Sequence, residues 1–311
     1  MSRGVPLVAA LLLACGAPMR LDDVPGDPIA FVRQDAGSIS DLAEFLKAVD
    51  LVGPEEVGRP VPRSRVTISL LSVPSGQIEP VPDAGPGAFP LDWSADGLRL
   101  LVGRRARGMV QLFEWNRLTG AWGRVNPSLS LGEASLGPGP IRLVLLGFGA
   151  RPQNRSRAPV VIHADRREPR PLPGSAGGRN PDVAGDGTRV VFSKGTGRQS
   201  RVLLADLAGG EPRVLARGEQ PRFSRDGNWI VYVTRRKGTS DIWLMRSDGS
   251  ARRPVVTSSF DDDSPALSPD ARFVVYASAR EREVSQLYMM RLVNGVEVQL
   301  TRTGQNGRPV W

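Results

Sequence analysis

Apolar residues along this chain fall in short runs, roughly four to eight residues long, each closed by Gly, Pro, Asp or Ser. The runs recur at a fixed spacing. PRFSRDGNWIVY at 221–232 aligns with PALSPDARFVVY at 265–276, and PDVAGDGTRVVF at 181–192 aligns with both. Pro221 to Pro265 and Pro265 to Pro309 are each 44 residues, and Asp186 to Asp226 is 40. An earlier copy, LDWSADGLRLLV at 91–102, sets Asp96 90 residues before Asp186, two periods of 45. PIRLVLLG at 140–147 and PVVIHAD at 159–165 fill the gap as a degenerate copy. A period of ~40 to 45 residues holding four short strands is the arithmetic of a propeller blade.

Within the copy that starts at Pro221, residues Arg222–Ser224 read as an inner strand A and Arg225-Asp226-Gly227 as a tight turn. Trp229–Val233 reads as strand B, nearly continuous in apolar and β-branched residues, as a sheet covered on both faces requires. Thr234–Ser240 is the expected B-to-C loop, Asp241–Arg246 strand C, Ser247-Asp248-Gly249 a second turn and Arg253–Thr257 the outer strand D. The two ends complement each other. Arg308–Trp311 is a strand A with no B after it, and Asp27–Val32 is a strand B with no A before it; residues 65–73 and 77–82 follow as C and D. Joining them predicts an all-β fold, a six-bladed β-propeller over residues 27–311, closed by C-terminal strand pairing with the N-terminal blade. The composite blade carries an insertion, residues 34–64, in which Leu42, Phe45, Leu46 and Val49 recur at helical spacing after Ser38 or Ser40 and predict a short amphipathic helix.

These repeats resemble the TolB-type propeller repeat, a WD-like unit of Pro-x-aromatic-Ser-Pro-Asp-Gly, an apolar strand, an Asp-Ile-Tyr-hydrophobic strand and an Asp-Gly turn. Residues 221–257 carry the pattern best, with Arg225 in place of the Pro and Asp241-Ile242-Trp243-Leu244-Met245 as the third strand. Pro265-Ala266-Leu267-Ser268-Pro269-Asp270 is close, with Ala271 where Gly is usual. The resemblance covers roughly residues 27–311 and is specific for fold, because the motif residues make turns and cores. It implies a partner-binding protein of the cell envelope near the Tol and peptidoglycan-associated lipoprotein system. TolB proteins also carry an α/β domain ahead of the propeller, for which residues 16–60 leave no room, so the contacts of that domain do not transfer.

The amino terminus agrees with an envelope location. One cation at Arg3 precedes an apolar run from Val5 to Ala14, well short of the ~20 residues of a spanning helix, which is signal-peptide architecture. Leu12-Leu13-Ala14-Cys15 resembles the lipobox of bacterial lipoproteins. That resemblance implies a signal peptide over 1–14, lipidation at Cys15, a tether over 15–26, and a membrane anchor made durable by multiple acyl chains. Gly16 after the cysteine implies an outer-membrane-anchored lipoprotein of the periplasm under the enteric sorting rule.

Composition narrows the chemistry. One His and one Cys in 311 residues exclude a disulfide framework and a Cys/His zinc cluster, and no cofactor or metal is expected. The net charge of +9 comes from 41 basic residues of which only Lys47, Lys194 and Lys237 are lysines. Such an arginine skew follows from nucleotide composition as readily as from phosphate binding, so no nucleic acid partner is expected. The B-to-C loops supply the candidate partner-binding residues, Arg104, Arg105, Arg155, Arg157, Arg235, Arg236, Arg280 and Arg282, a basic ring that would speed encounter with an acidic partner. Glu133, Glu219 and Asp261-Asp262-Asp263 in the D-to-A loops predict an acidic centre inside that basic rim. Asp261 to Asp263 lack the spaced ligands of a Ca²⁺ site and read as a solvated turn. His163 falls on a predicted strand C and reads as a packed or surface residue; the six tryptophans read as inter-blade packing. No G-x-S-x-G elbow, Walker loop or G-x-G-x-x-G occurs. The expectation is therefore a monomeric, non-enzymatic, lipid-anchored propeller that binds a protein partner. The alternatives are a glycan-binding propeller, or a carboxylate-based glycoside-cleaving enzyme, which needs two acids facing one pocket.

Overall fold

The computed structural model describes residues 24–34, 66–85, 87–106, 109–125, 131–136, 141–148, 157–163, 170–236, 238–281 and 284–311. The fold is an all-β propeller. Among the described residues, four-stranded antiparallel sheets repeat along the chain, six in all. The first contains β1 (Ile29–Gln34), β2 (Val66–Ser72) and β3 (Gln77–Pro80), with β24 (Gln305–Val310) added beside β1. The second holds β4 (Ala88–Trp93), β5 (Arg99–Ala106), β6 (Met109–Asn116) and β7 (Trp122–Val125). The third holds β8 (Leu131–Leu136), β9 (Ile141–Phe148), β10 (Arg157–His163) and β11 (Arg170–Pro171). The fourth runs β12 (Gly178–Val183), β13 (Arg189–Lys194), β14 (Arg201–Asp206) and β15 (Arg213–Arg217). The fifth runs β16 (Glu219–Phe223), β17 (Trp229–Arg236), β18 (Thr239–Arg246) and β19 (Arg253–Val256), and the sixth β20 (Asp262–Leu267), β21 (Phe273–Glu281), β22 (Val284–Arg291) and β23 (Glu297–Gln299). β24 pairs with β1 through Ala30↔Val310 and Gln34↔Gln305. It also lies against β20 on one side and β4 on the other.

The near-continuous apolar B strands follow from burial on both faces. Ile230 and Tyr232 of β17 pack with Val191, Val202 and Leu215 of the fourth sheet, whereas Val231 packs with Val274, Tyr276 and Tyr288 of the sixth. Period-two alternation thus sends successive side chains to opposite neighbours, and each fully buried one contributes about 1.5–3 kcal/mol. The same rule joins Ile29 and Phe31 to Phe273 and Val275, and Ala30 and Ile68 to Leu100 and Val102. The tryptophans serve this packing: Trp93 and Trp115 are buried between the first two sheets, and Trp229 and Trp243 pack against the cores on either side of the fifth.

The A-to-B turns use the repeated Ser-x-Asp-Gly chemistry. Ser224 Oγ donates to Asp226 and accepts the Trp229 amide at 2.9 Å, while Asp226 accepts the Asn228 amide at 3.0 Å. Ser94 with Asp96 and Ser268 with Asp270 repeat the arrangement.

Element lengths depart from the sequence reading in a regular way. The loop expected at Thr234–Ser240 is almost entirely strand, because the ladder continues through Arg235↔Ser240 and Arg236↔Thr239. Innermost strands begin earlier than Arg222 suggested, since in four of them a prolyl residue follows a left-handed residue that bulges the strand and lets pairing resume before it. Asn180, Gln220, Ser264 and Arg308, with φ of 49°, 51°, 52° and 49°, precede Pro181, Pro221, Pro265 and Pro309. The third sheet's first strand, β8, had no clear sequence mark. The helix expected within 34–64, the signal segment, Cys15 and the tether up to residue 23 lie outside the described residues; the tether expected to run to residue 26 ends earlier, because Val24 is buried in the core with Ile29 and Phe31.

Candidate functional site

The site grows from one position of the repeat. The penultimate residue of the innermost strand is Asp92 in β4, Ser135 in β8, Asp182 in β12, Arg222 in β16 and Ala266 in β20, and Val310 takes the matching register in β24. One side of this layer is polar and the other small and apolar.

The polar side is one connected network. Ser135 Oγ lies 2.8 Å from Asp92 Oδ2 and 3.5 Å from Asp182 Oδ1, and accepts the Val183 amide at 3.1 Å. Asp182 also accepts Arg222 Nη1 at 3.0 Å and the Phe223 amide at 2.6 Å. Arg222 Nη2 reaches Leu91 O at 3.4 Å, so this one side chain spans from the fifth sheet to the second. Burial pushes the Asp182 carboxyl above its usual range, opposed by the guanidinium of Arg222.

A cavity of about 390 Å³ opens from this layer towards the A-to-B turns. Its apolar wall includes Val183, Phe223, Ala266, Leu267 and Val310, with Trp93 and Trp311. Its charged groups are partnered at the mouth: Arg99 with Glu114 at 3.6 Å, and Arg225 with Asp27 at 3.4 Å. Trp311 Nε1 donates to Asp27 O at 2.9 Å and so ties the last residue to the start of the first sheet.

The sequence-predicted arginines occupy a different region, and several are engaged internally. Arg104, Arg105, Arg235, Arg236 and Arg280 lie on strands instead of loops, for the ladder reason given above. Arg104 stacks 4.3 Å from the ring centroids of both Phe113 and Trp122 and donates to Asp83 O at 2.8 Å. Arg235 pairs with Glu219 at 2.7 Å. Arg280 pairs with Glu297, approaches Asp262 to 3.7 Å and lies over the Tyr288 ring. Arg236 is exposed at the end of β17. Arg157 begins β10, but its side chain and that of Arg105 are outside the described residues, as are Arg155 and Arg282 altogether.

Part of the expected acidic centre and basic rim is thus paired internally, Arg235 with Glu219 and Arg280 near Asp262. Asp262 is fully buried on β20 and accepts Ser258 Oγ at 2.7 Å, which overturns the solvated-turn reading for that residue; Asp261, exposed, accepts the Ser240 amide at 3.0 Å. Glu133 lies on β8, not in a loop, because pairing with Leu146 extends that strand. The sequence reading missed Asp92, Ser135, Asp182 and Arg222. For Asp182 and Arg222 the signal was the repeat column directly after the recurring Pro, where they stand against Ala266 and Val310.

A family model described as the TolB beta propeller domain matches residues 160–311. A protein TolB homolog of Chlorobium luteolum is 30% identical over 105 residues, 32% of this chain and 23% of the homolog. The Tol-Pal system protein TolB of Xanthomonas oryzae is 29% identical over 92 residues, 28% of this chain and 21% of that protein. The matches thus span less than a quarter of these relatives. The crystal structure of TolB from Acinetobacter baumannii superposes with a TM-score of 0.68 at 18% identity, covering 94% of this chain and 68% of that one.

Proposed function

We propose that this chain, a TolB-like β-propeller, is a non-enzymatic interaction module of the bacterial cell envelope that works as a monomer and binds a protein partner. The observation that carries the reading is the match of residues 160–311 to the TolB propeller, together with relatives named for the Tol-Pal system. The ring is read as six-bladed over residues 27–311 and closed by β24; the contacts of β24 with β1, β20 and β4 support this. Residues 1–14 are read as a signal peptide and Cys15 as the lipidated residue that holds the protein at the outer membrane, with residues 15–26 as tether.

Partner contact is assigned to the B-to-C hairpin arginines, of which Arg235 and Arg236 are exposed, and to the amphipathic cavity under Arg222. Crosslinking in intact cells followed by mass spectrometry tests the reading. A reproducible envelope protein captured by the wild type, and reduced when Arg235 and Arg236 are changed to Glu or Ala266 to Trp, is the expected result. Capture indifferent to both changes removes the assigned surfaces, and no capture removes the function. Labelling with a radioactive fatty acid that survives Cys15→Ser removes the anchor.

A second reading has one observation in its favour. Asp92 and Asp182 line the same cavity and share the Ser135 hydroxyl, which is the paired-acid arrangement that a glycan-binding or glycoside-cleaving propeller needs. Glycan binding or cleavage lost in both Asp92→Asn and Asp182→Asn variants would replace the interaction module with this reading.

A further inference from the structure

Arg235 and Arg280 near the B-to-C ends form ion pairs with Glu219 and Glu297, whereas the arginines on the outer edge of the fourth and fifth sheets are held differently. Arg213 and Arg217 on β15, Arg246 at the end of β18, and Arg252 and Arg253 at the start of β19 are all exposed. None of the five makes an ion pair with a described residue, in contrast to Arg235 and Arg280. Four of them gather about one turn, Ser247–Ser250. Arg213 Nη1 donates to Asp248 O at 3.0 Å from the neighbouring sheet, Arg252 Nε donates to Gly249 O at 2.8 Å, and the Gly249 amide donates to Arg246 O. Arg253 reaches on to Leu292 O in the sixth sheet at 3.3 Å. Backbone carbonyls thus hold the Arg213, Arg252 and Arg253 guanidinium groups in place, the Arg246 guanidinium lies 5.1 Å from the Trp229 ring centroid, and the Asp248 carboxylate, which Arg246 and Arg213 help to hold low, offsets one of the five charges. Asp248 is the acid close to this turn, and Glu211 is the other near the start of β15.

Two of the most exposed apolar side chains of the protein flank the same cluster. Val214, 57% exposed, follows Arg213, and Val293, 87% exposed, follows the Leu292 whose carbonyl holds Arg253. The described cavity lies elsewhere, at the inner strands. Arginines interleaved with bare valines match the boundary between anionic headgroups and acyl chains.

We propose that this edge, centred on the Ser247–Ser250 turn, docks the propeller against an anionic phospholipid bilayer. Each arginine at a charged bilayer surface adds to attraction that fades within a Debye length, and four to eight together suffice for recognition. Part of the interest rests on the Cys15 reading, which would bring a bilayer near, but the docking itself needs no acyl chain.

The test uses the whole chain with vesicles of phosphatidylcholine alone or with about a third phosphatidylglycerol, read as the ratio of binding to the two, so that any contribution of the amino-terminal apolar run cancels. The wild type should prefer the anionic vesicles by at least ~10-fold at low salt and lose that preference as salt rises. Arg213→Glu, Arg252→Glu and Arg253→Glu combined should abolish the preference, while reversal of the exposed Arg124, Arg198 and Arg302 should leave it. Because Arg213 and Arg253 also clasp neighbouring sheets, Val214→Asp with Val293→Asp is the second arm, and it should weaken binding with an unchanged circular dichroism melt. The proposal is overturned by an absent preference, by equal loss in the control triple, or by wild-type binding to heparin or duplex DNA as tight as to anionic vesicles. The envelope crosslinking result is independent of all these outcomes, so the two readings fail separately.

Discussion

Arg222 and Asp182 join neighbouring innermost strands at 3.0 Å, and the same guanidinium continues to Leu91 O, so one side chain fastens the fifth sheet to the fourth and the second. Asp182 is buried while Arg222 is 28% exposed. Removing one partner of a buried pair costs ~3–5 kcal/mol, and the partial exposure of Arg222 lowers that to about 2–3 kcal/mol here. Arg222→Ala and Asp182→Ala should each lose that much in urea unfolding. The double variant should lose less than their sum, and full additivity would mean that the pair is not coupled.

The acids of this molecule divide by sign. Burial raises the Asp182 carboxyl, so the folded chain holds that proton more tightly than the unfolded one. Its contribution is fully present below the ordinary aspartate range and is lost as pH rises through the raised value. Asp96 behaves oppositely: the Ser94 hydroxyl and then the Leu98 amide hold its carboxyl low, so its contribution is present above the ordinary range and lost as pH falls through the lowered value. Stability measured from roughly pH 3 to 8 should show a shallower upper decline in Asp182→Asn, the remainder coming from Asp241 and Asp262, which burial also raises, and should keep its acid decline. Ser94→Ala should bring the Asp96 titration, followed by NMR, back up towards the ordinary value.

The repeat made the strands legible and left the site hidden, for a physical reason. Turn residues such as Ser224, Asp226 and Gly227 serve the same turn and recur with few substitutions, Ala184 and Ala271 among them, so they stand out as a period. Asp92, Ser135, Asp182 and Arg222 each occur in a single copy, and their meaning appears only when the ring sets four different copies side by side. The B-to-C arginines misled because polarity was read as loop. Arg235 and Arg236 keep their ladder bonds at the exposed end of β17, where polar side chains and strand pairing are compatible. β8 escaped notice because Leu131–Leu136 alternates weakly and lacks the proline that marks four other innermost strands at their bulges.

Among the described glycines, the closest approach of a neighbouring sheet is at Gly185. A Cβ there would lie 2.0 Å from the carbonyl oxygen of Arg225 in the next sheet, and backbone cannot turn aside as a side chain does. Gly185→Ala should therefore cost at least the upper part of the ~1–3 kcal/mol typical of overpacking. Gly123 in β7 is the control, with nothing within 4 Å of its added Cβ and no left-handed φ. Gly123→Ala should be neutral or gain ~0.5 kcal/mol, since strand glycine carries an entropic penalty. Equal melts for the two variants would show that the fourth and fifth sheets do not meet there.

The sixth sheet's turn departs from its siblings at one residue, and the departure is measurable. Gly97, Gly187 and Gly227 each take φ of 69°, and their amides donate at 2.8 Å to the carbonyls of Ser94, Ala184 and Ser224. Ala271 occupies the same place with φ of 54° and makes the same 2.8 Å bond to Ser268 O, so the turn is kept and the Cβ strain is borne. Left-handed backbone costs an L-residue ~1–2 kcal/mol, while glycine returns ~0.4–1 kcal/mol of that as unfolded-state entropy. Ala271→Gly should then stabilise by about 0.5–1 kcal/mol, raising Tm by roughly 1–3 °C for a chain of this size. Gly227→Ala should move the other way and further, because its added Cβ would also come within 3.2 Å of Arg189 Nη2. If Ala271→Gly lowers Tm instead, the alanine methyl group is contributing packing that outweighs its backbone strain.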